Sequence, residues 1–283
     1  MSPVPARELL ATPAPPGQDP AAWRRDVERL ICHVCGINRA HLLAHPEYPP
    51  TAAAYRHLQE LLARRECGVP LAYLTGYQEF WSLRLALTPD TLIPRPETEL
   101  LVERALAVIP IGQALRVVDI GTGSGAVALA LAHERPLAQI YATDISAAAL
   151  TVARANAAAL GKSDIQFLER DGAQDLPGLF DVVVSNPPYV AETDPCLLGP
   201  GLAFEPLLAL SGGAAGLAVL AHVIAGASTH LRTGGHLLLE HGTSQGSAVQ
   251  DLLASHGYQH ILCWRDLAGH DRVTGATWGL VDG

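Results

Sequence analysis

No stretch of this 283-residue chain approaches the eighteen or so consecutive apolar residues that a membrane helix needs. The opening "MSPVPARELLATPAPPGQDP" lacks the continuous apolar run of a secretion signal and is broken repeatedly by proline. We therefore expect a soluble, cytoplasmic protein with no membrane partner. Positive charge is also short. Nineteen Lys+Arg face 28 Asp+Glu, and the imbalance is uneven: residues 1–80 carry eight of each, residues 81–283 eleven against twenty. A protein that grips DNA or RNA shows the opposite footprint, a basic face against phosphates, so no direct nucleic-acid substrate is expected. Cysteine is scarce, odd in number and scattered, which excludes a disulfide framework. Cys32-His-Val-Cys35 has half the spacing of a metal site, but no second pair follows it. Its two cysteines share one face of an apolar-periodic segment and read as helix packing, so no metal is expected.

An ordinary globular composition remains, 49% hydrophobic and 17% charged. After a Pro-rich N-terminus expected to fray, "DPAAWRRDVERLICHVCG" has helical spacing at Trp23, Val27, Leu30, Ile31 and Val34, with Gly36 as its stop. "NRAHLLAHP" predicts a short helix and "TAAAYRHLQELLARREC" a longer one capped by Thr51. Residues 1–70 thus form a small helical domain. Within 71–96, "EFWSLRLAL" alternates and "TPDT" signals a turn, which predicts a β-hairpin linker. From 97 to 283 strand and helix patterns alternate, starting with a helix near 97–108 and ending with two strands, near 258–264 and 274–281. The alternation implies an α/β domain whose parallel sheet is covered on both faces. The helix-less final pair implies an antiparallel hairpin at the sheet's end.

Two segments carry chemistry. "VVDIGTGSGA" is a strand, a glycine turn (Gly121, Thr122, Gly123, Ser124, Gly125) and a helix start, where backbone N–H groups lie open to a ligand. Asp144, before Ile145, ends the next strand about twenty residues on, where a carboxylate can bind both hydroxyls of a ribose. Gly121, Gly123 and Ala126 also satisfy the dinucleotide fingerprint, so NAD stays open on this motif alone. Asp119 tilts the choice toward S-adenosylmethionine, because a carboxylate there suits a cationic methionine end and repels a pyrophosphate. Asp171-Gly172, after the third strand, could meet adenine or could simply be a turn.

The second segment is "FDVVVSNPPYV". Its Asn186 oxygen and Pro187 carbonyl can each accept one N–H from a planar, conjugated amino group. Pro187 and Pro188 hold those acceptors rigidly, and Tyr189 offers a flat face. Adenine and glutamine amides fit this corner equally well.

The order of these motifs resembles the release factor glutamine methyltransferases (HemK family). "PLAYLTGYQEFW", "TLIPRPETELLVERAL", "DIGTGSGAVALALA", "ATDIS", "VVSNPPYV", "FEPLLALSGGAAGL" and "GGHLLLEHGTSQG" follow in that family's sequence. The resemblance implies a seven-stranded, Rossmann-like class I methyltransferase domain and an N-terminal helical domain that helps dock the substrate. The reaction implied is methylation of N5 of the glutamine in the Gly-Gly-Gln loop of peptide chain release factors. S-adenosyl-L-methionine would be the donor and S-adenosyl-L-homocysteine the product, and a monomer is expected. On this basis Asp119, Gly121–Gly125, Asp144, Ile145, Asp171, Gly172 and Asn186 line the cofactor, and Asn186, Pro187, Pro188 and Tyr189 hold the glutamine amide. Arg95, Glu97 and Glu205 fall around the substrate mouth, either touching substrate or fixing loops as ion pairs. Where some relatives carry a Trp after the third-strand aspartate, this chain has Gly172, so an adenine contact there must come from elsewhere. "PRPETE" argues for release factors over a ribosomal-protein glutamine, and the acidic balance argues against DNA adenine.

Overall fold

The computed structural model describes residues 4–199 and 201–279. The chain divides into two compact units, Met1–Gly76 and Tyr77–Gly283.

The first unit is helical: α1 (Ala6–Leu9), α2 (Pro20–Cys35), α3 (Arg39–Ala44), α4 (Ala52–Glu66) and α5 (Leu71–Thr75). Asp19 caps α2 by accepting from the Ala21 and Ala22 N–H groups, and Gly36 ends it in the left-handed conformation. The apolar stripe Trp23, Val27, Leu30 and Ile31 is buried in one cluster with Leu58, Leu61 and Leu62 of α4. Cys32 and Cys35 pack beside that cluster as free thiols. Two expectations change here. The Pro-rich start forms α1 instead of fraying there, because Ala6 and Arg7 donate backbone hydrogen bonds to the Tyr48 and Pro46 carbonyls and Ala6 and Leu9 are buried. Residues 71–75, read from sequence as part of the hairpin linker, form the last helix of this unit instead, and Leu74 enters its core.

The second unit opens with the hairpin β1 (Tyr77–Phe80) and β2 (Leu83–Ala86). Its reversal lies at Trp81-Ser82, both at positive φ (52° and 59°), which is the turn that matches strand twist. Trp81 is anchored there by Glu99 Oε1 on its N–H (2.9 Å) and Glu134 Oε1 on its indole (2.8 Å). "TPDT" does form a turn, but a separate one beyond the hairpin, closed by Thr91 N–H on the Thr88 carbonyl. Phe80 and Leu85 are buried in the main core, so the hairpin is integral to this unit.

A short 3₁₀ turn (Pro96–Thr98) leads into α6 (Glu99–Val108). There follow β3 (Arg116–Ile120), α7 (Ala126–Glu134), β4 (Gln139–Asp144), α8 (Ala147–Ala159), β5 (Gln166–Glu169), β6 (Phe180–Ser185), α9 (Ala218–Ser228), β7 (Leu231–Glu240), α10 (Gly246–Ser255), β8 (Tyr258–Arg265) and β9 (Asp271–Trp278). The last strand begins three residues earlier than its pattern suggested, and residues 280 and 281 of that expectation lie outside the described residues.

These strands form one seven-stranded sheet in the order β5-β4-β3-β6-β7-β9-β8, parallel except for β9, which is antiparallel to both neighbours. Apolar clusters cover both faces, as the continuous runs "RVVDI" and "FDVVVS" require. The chain builds outward from β3 through β4 to β5, then returns to place β6 on the other side of β3. That reversal opens a crevice at the carboxyl ends of β3 and β6. Ile120 and Ser185 are register partners, so the glycine turn and Asn186 leave the sheet side by side.

Candidate active site

A cavity of about 210 Å³ occupies this crevice. Nine of the residues expected from sequence line it: Gly121, Gly123, Asp144, Ile145, Asp171, Gly172, Asn186, Pro187 and Pro188. Gly121 and Gly123 have positive φ, and a Cβ at either would point into open space. The backbone there is bare toward the cavity, which is the cradle a ligand would fill. Asp144 Oδ2 accepts the Gly123 N–H and its Oδ1 the Ser146 N–H, both at 2.9 Å, which orients the carboxylate at the cavity wall. Burial raises its pKa against the pull of these bonds.

Other expected residues stand behind the wall. Asp119 is buried beneath the glycine turn and does not line the cavity. Its Oδ2 accepts the Thr122 hydroxyl (2.7 Å) and the Ala128 N–H (3.2 Å), so it ties the turn to the first turn of α7. Burial pushes its pKa up to about 7. Thr122, Ser124 and Gly125 are likewise outside the lining. At Gly125 a Cβ would meet Leu129 Cδ1 at 3.1 Å and Ala153 Cβ at 3.3 Å, so that glycine serves close packing of α7 on α8. Asn156 of α8 adds a clasp the sequence reading missed. Its amide accepts from Ala86 N–H and donates to the Ala86 and Ser124 carbonyls, joining hairpin to glycine turn.

Beyond β5, His222 of α9 fills the space above Gly172. A Cβ at Gly172 would lie 2.8 Å from its ring, and His222 Nε2 sits 3.5 Å from Asp171 Oδ1. The ring lines the cavity beside the Asp171-Gly172 turn. Nothing local in sequence connects positions 172 and 222.

At the proline corner, Asn186 Nδ2 donates to Thr98 Oγ1 (3.1 Å), and Asn186 and both prolines face the cavity. The corner is clasped from behind. Val190 N–H donates to the Leu210 carbonyl, Gly212 N–H to the Val190 carbonyl, and Gln245 Nε2 to the Tyr189 carbonyl (3.0 Å). Gly212 has no room for a Cβ, which would lie 2.7 Å from the Pro188 carbonyl oxygen. The glycines of "SGGAAGL" are the sequence trace of this clasp. Tyr189 differs from expectation. Its hydroxyl donates to Glu240 Oε1 (3.2 Å) and its ring packs with the second core cluster, so it is not a wall of the cavity. Burial and the neighbouring Glu240 push its phenol pKa well up.

Arg95 and Glu205 do not line the cavity either; they pair with each other at 2.5 Å. Glu205 Oε2 also takes the Ile93 N–H (3.0 Å), fixing the "IPRP" and "FEP" loops together, while Pro206 beside it reaches the cavity. Glu97 is exposed on the 3₁₀ turn and outside the lining.

The lining holds three carboxylates (Asp90, Asp144 and Asp171) against one guanidinium, Arg170, and no lysine. Such a set disfavours a pyrophosphate and suits a ligand that pairs a ribose with a cation. The residues fit a nucleoside sulfonium better than a dinucleotide. Among the described residues no cluster of His, Cys, Asp or Glu could hold a metal ion, and no helix is long and apolar enough to cross a membrane.

Comparison with known proteins agrees with this architecture. Residues 96–196 match the family described as methyltransferase small domain, and residues 19–76 the PrmC N-terminal domain. A release factor glutamine methyltransferase of Xylella fastidiosa is 48% identical over 252 residues, covering 89% of this chain and 92% of that protein. Its Escherichia coli namesake is 46% identical over 252 residues, covering 89% and 91%. Among solved structures, a Pyrococcus furiosus methyltransferase shares the fold with a TM-score of 0.53 at 17% identity, over 78% of this chain and 98% of that one. A Thermus thermophilus 16S rRNA N2 G1207 methyltransferase, solved with AdoMet and guanosine, has a TM-score of 0.53 at 19% identity, over 71% and 49%.

Proposed function

This chain belongs to the release factor glutamine methyltransferases, and from that membership we infer that it methylates the side-chain nitrogen N5 of the glutamine in the Gly-Gly-Gln loop of peptide chain release factors. Through that product it modulates translation termination. The observation that carries the reading is the commitment of Asn186 Nδ2 to Thr98, which leaves Asn186 Oδ1 for the cavity. An acceptor there is what a planar NH₂ group needs.

S-adenosylmethionine, when bound, supplies an electrophilic sulfonium methyl and leaves as S-adenosylhomocysteine. Asp144 accepts the ribose hydroxyls, with its own position set by the Gly123 and Ser146 N–H groups. Gly121 and Gly123 allow close backbone approach. Asp171 accepts from the adenine amine and His222 gives its ring a flat neighbour. Asp119, buried below the turn, adds negative potential beneath the cationic end, and Thr122, Ser124 and Gly125 shape the turn that carries it. On the substrate side, Asn186 Oδ1 and the Pro187 carbonyl accept the two N–H bonds of the glutamine amide. That draws electron density onto a nitrogen whose lone pair is otherwise delocalised. Pro187 and Pro188 keep the acceptors still, so catalysis works by positioning and electrostatics without a strong base, since the nitrogen becomes acidic once methylated and gives its proton to solvent water. Tyr189 braces the corner from behind, and the Arg95–Glu205 pair shapes the mouth. We take the reaction to run in the cytoplasm, on a monomeric enzyme and with no direct nucleic-acid substrate.

Transfer of labelled methyl from S-adenosylmethionine to purified release factor, ribosomal protein and duplex DNA in parallel tests this reading. Label in release factor, lost when its glutamine is replaced, is expected. Label in DNA alone, or nowhere, would overturn it.

A further inference from the structure

A proline ring fixes φ but leaves ψ free, and the direction of a carbonyl turns with ψ. The rings of Pro187 and Pro188 therefore do not by themselves aim the Pro187 carbonyl at the cavity. Both ends of the corner have to be held. Upstream, Ser185 Oγ donates to the Ile120 carbonyl at 2.7 Å, which ties the tip of β6 to β3. Downstream the anchor is Gln245, the residue just before α10. Its Oε1 accepts the Gly242 N–H at 2.8 Å, and its Nε2 donates to the Tyr189 carbonyl at 3.0 Å and to the Gly216 carbonyl at 3.2 Å.

These partners leave the amide one orientation. The Gly242 N–H needs an acceptor and the two carbonyls need donors, so turning the amide over would set its oxygen against both carbonyl oxygens. A side-chain amide offers one acceptor and two donors on a single planar group, which is the set required here. The flanking glycines make room for it: a Cβ at Gly242 would lie 2.9 Å from Oε1, and one at Gly216 2.8 Å from Nε2. The Tyr189–Val190 peptide is thus held on both sides, its carbonyl by Gln245 and its N–H by the Leu210 carbonyl. We propose that Gln245 is a positioning residue for methyl transfer: by fixing the Tyr189 peptide, close behind Pro187, it sets the direction in which the Pro187 carbonyl and the Asn186 amide meet the nitrogen to be methylated. Gln245 itself does not line the cavity, so it acts only through the corner. The role rests on Asn186 and Pro187 holding the glutamine amide, as proposed above.

The test compares wild type with Gln245→Glu, which keeps the acceptor for Gly242 but loses both donors, and Gln245→Met, which keeps the length and loses all three bonds. Steady-state methylation of release factor is measured well below the melting temperature of each variant, and S-adenosylmethionine affinity by calorimetry. A residue that only stabilised the fold would leave kcat unchanged under those conditions. Both variants are expected to lower kcat at least about tenfold, with cofactor affinity and KM for release factor within about threefold of wild type. Independently of any substrate, the Asn186 side-chain ¹⁵N–¹H resonances should move in both variants, while the Ser146 N–H, bonded to Asp144, stays still. Should Gln245→Glu not fold, Gln245→Met decides, since it introduces no charge. Wild-type kcat in a folded variant, a loss confined to KM or cofactor affinity, or Asn186 signals that do not move would each overturn the proposal. A wild type that binds cofactor but leaves release factor unlabelled would instead overturn the functional reading, and the Asn186 resonances would still judge whether Gln245 sets the corner.

Discussion

Replacing Arg95 with alanine removes the counter-charge of a carboxylate that has little access to water. The Glu205 side chain is 2% exposed and that of Arg95 33%. One Glu205 oxygen takes the Arg95 guanidinium at 2.5 Å and the other the Ile93 N–H at 3.0 Å. Breaking a buried pair by deleting one partner costs about 3–5 kcal/mol. Water can follow the partly exposed arginine out, and the Ile93 bond remains, so about 2–3 kcal/mol is expected for Arg95→Ala. Glu205→Gln keeps an acceptor for Ile93 and should cost roughly 1–2 kcal/mol. The double variant carries no buried charge to strand, so the two effects should couple by at least about 1 kcal/mol. Urea titration followed by tryptophan fluorescence is a suitable assay, since Trp81, Trp264 and Trp278 report on the second unit and only Trp23 on the first. Coupling below about 0.5 kcal/mol would refute the clamp. So would an Arg95→Ala variant of wild-type stability whose KM for release factor is raised, since Arg95 would then serve the substrate.

Three further outcomes follow from the geometry. Asn186→Ala should reduce methyl transfer by at least about a hundredfold, as expected for loss of a preorganised polar group, while calorimetry finds S-adenosylmethionine binding within a few-fold; full activity would sink the mechanism. Gly216→Ala places a Cβ against the Tyr189 carbonyl oxygen at a φ of +72°, so a loss of about 2 kcal/mol or more in urea and a matching drop in kcat are expected. Asp119, with its pKa raised to about 7 by burial, binds its proton more tightly folded than unfolded. Its contribution to stability is whole below the unfolded value near 4 and is lost as pH rises toward 7. Relative to Asp119→Asn, wild type should lose on the order of 2–4 kcal/mol across that window, and parallel stability curves for the two proteins would contradict the assignment.

Much of the fold was legible because its signals are local. Thr51 and Ser146 accept from the first-turn N–H groups of α4 and α8, and Gly36 and Gly161 end α2 and α8 at positive φ, each readable within a few residues. The central strands β3, β6 and β7 could be found by their apolar runs, since strands covered on both faces tolerate little else, whereas the edge strands β5 and β8 are largely exposed or half-buried. Where reading failed, the deciding contact was distant. α1 is ordered by carbonyls some forty residues away, and no pattern in a Pro-rich tail announces that. The hairpin reverses at Trp81-Ser82 because Glu99 holds the Trp81 backbone N–H and Glu134 its indole, whereas "TPDT" looks more like a turn in isolation.

The candidate site divides along the same line. A glycine turn, an aspartate at the tip of the next strand and a rigid Asn-Pro-Pro corner are written into contiguous residues, because backbone conformation at a strand end depends on those residues themselves. Sequence order alone therefore carried the nine cavity-lining residues and the identity of the family. Which way a side chain faces is another matter, since that depends on what the rest of the chain packs beside it. Packing turned Asp119 beneath the turn, drew Tyr189 back to Glu240, closed Arg95 onto Glu205 and laid His222 over Gly172. The bonds from Asn186 to Thr98 and from Tyr189 to Glu240 each join distant stretches of chain, and only the folded core brings those stretches within reach of one another.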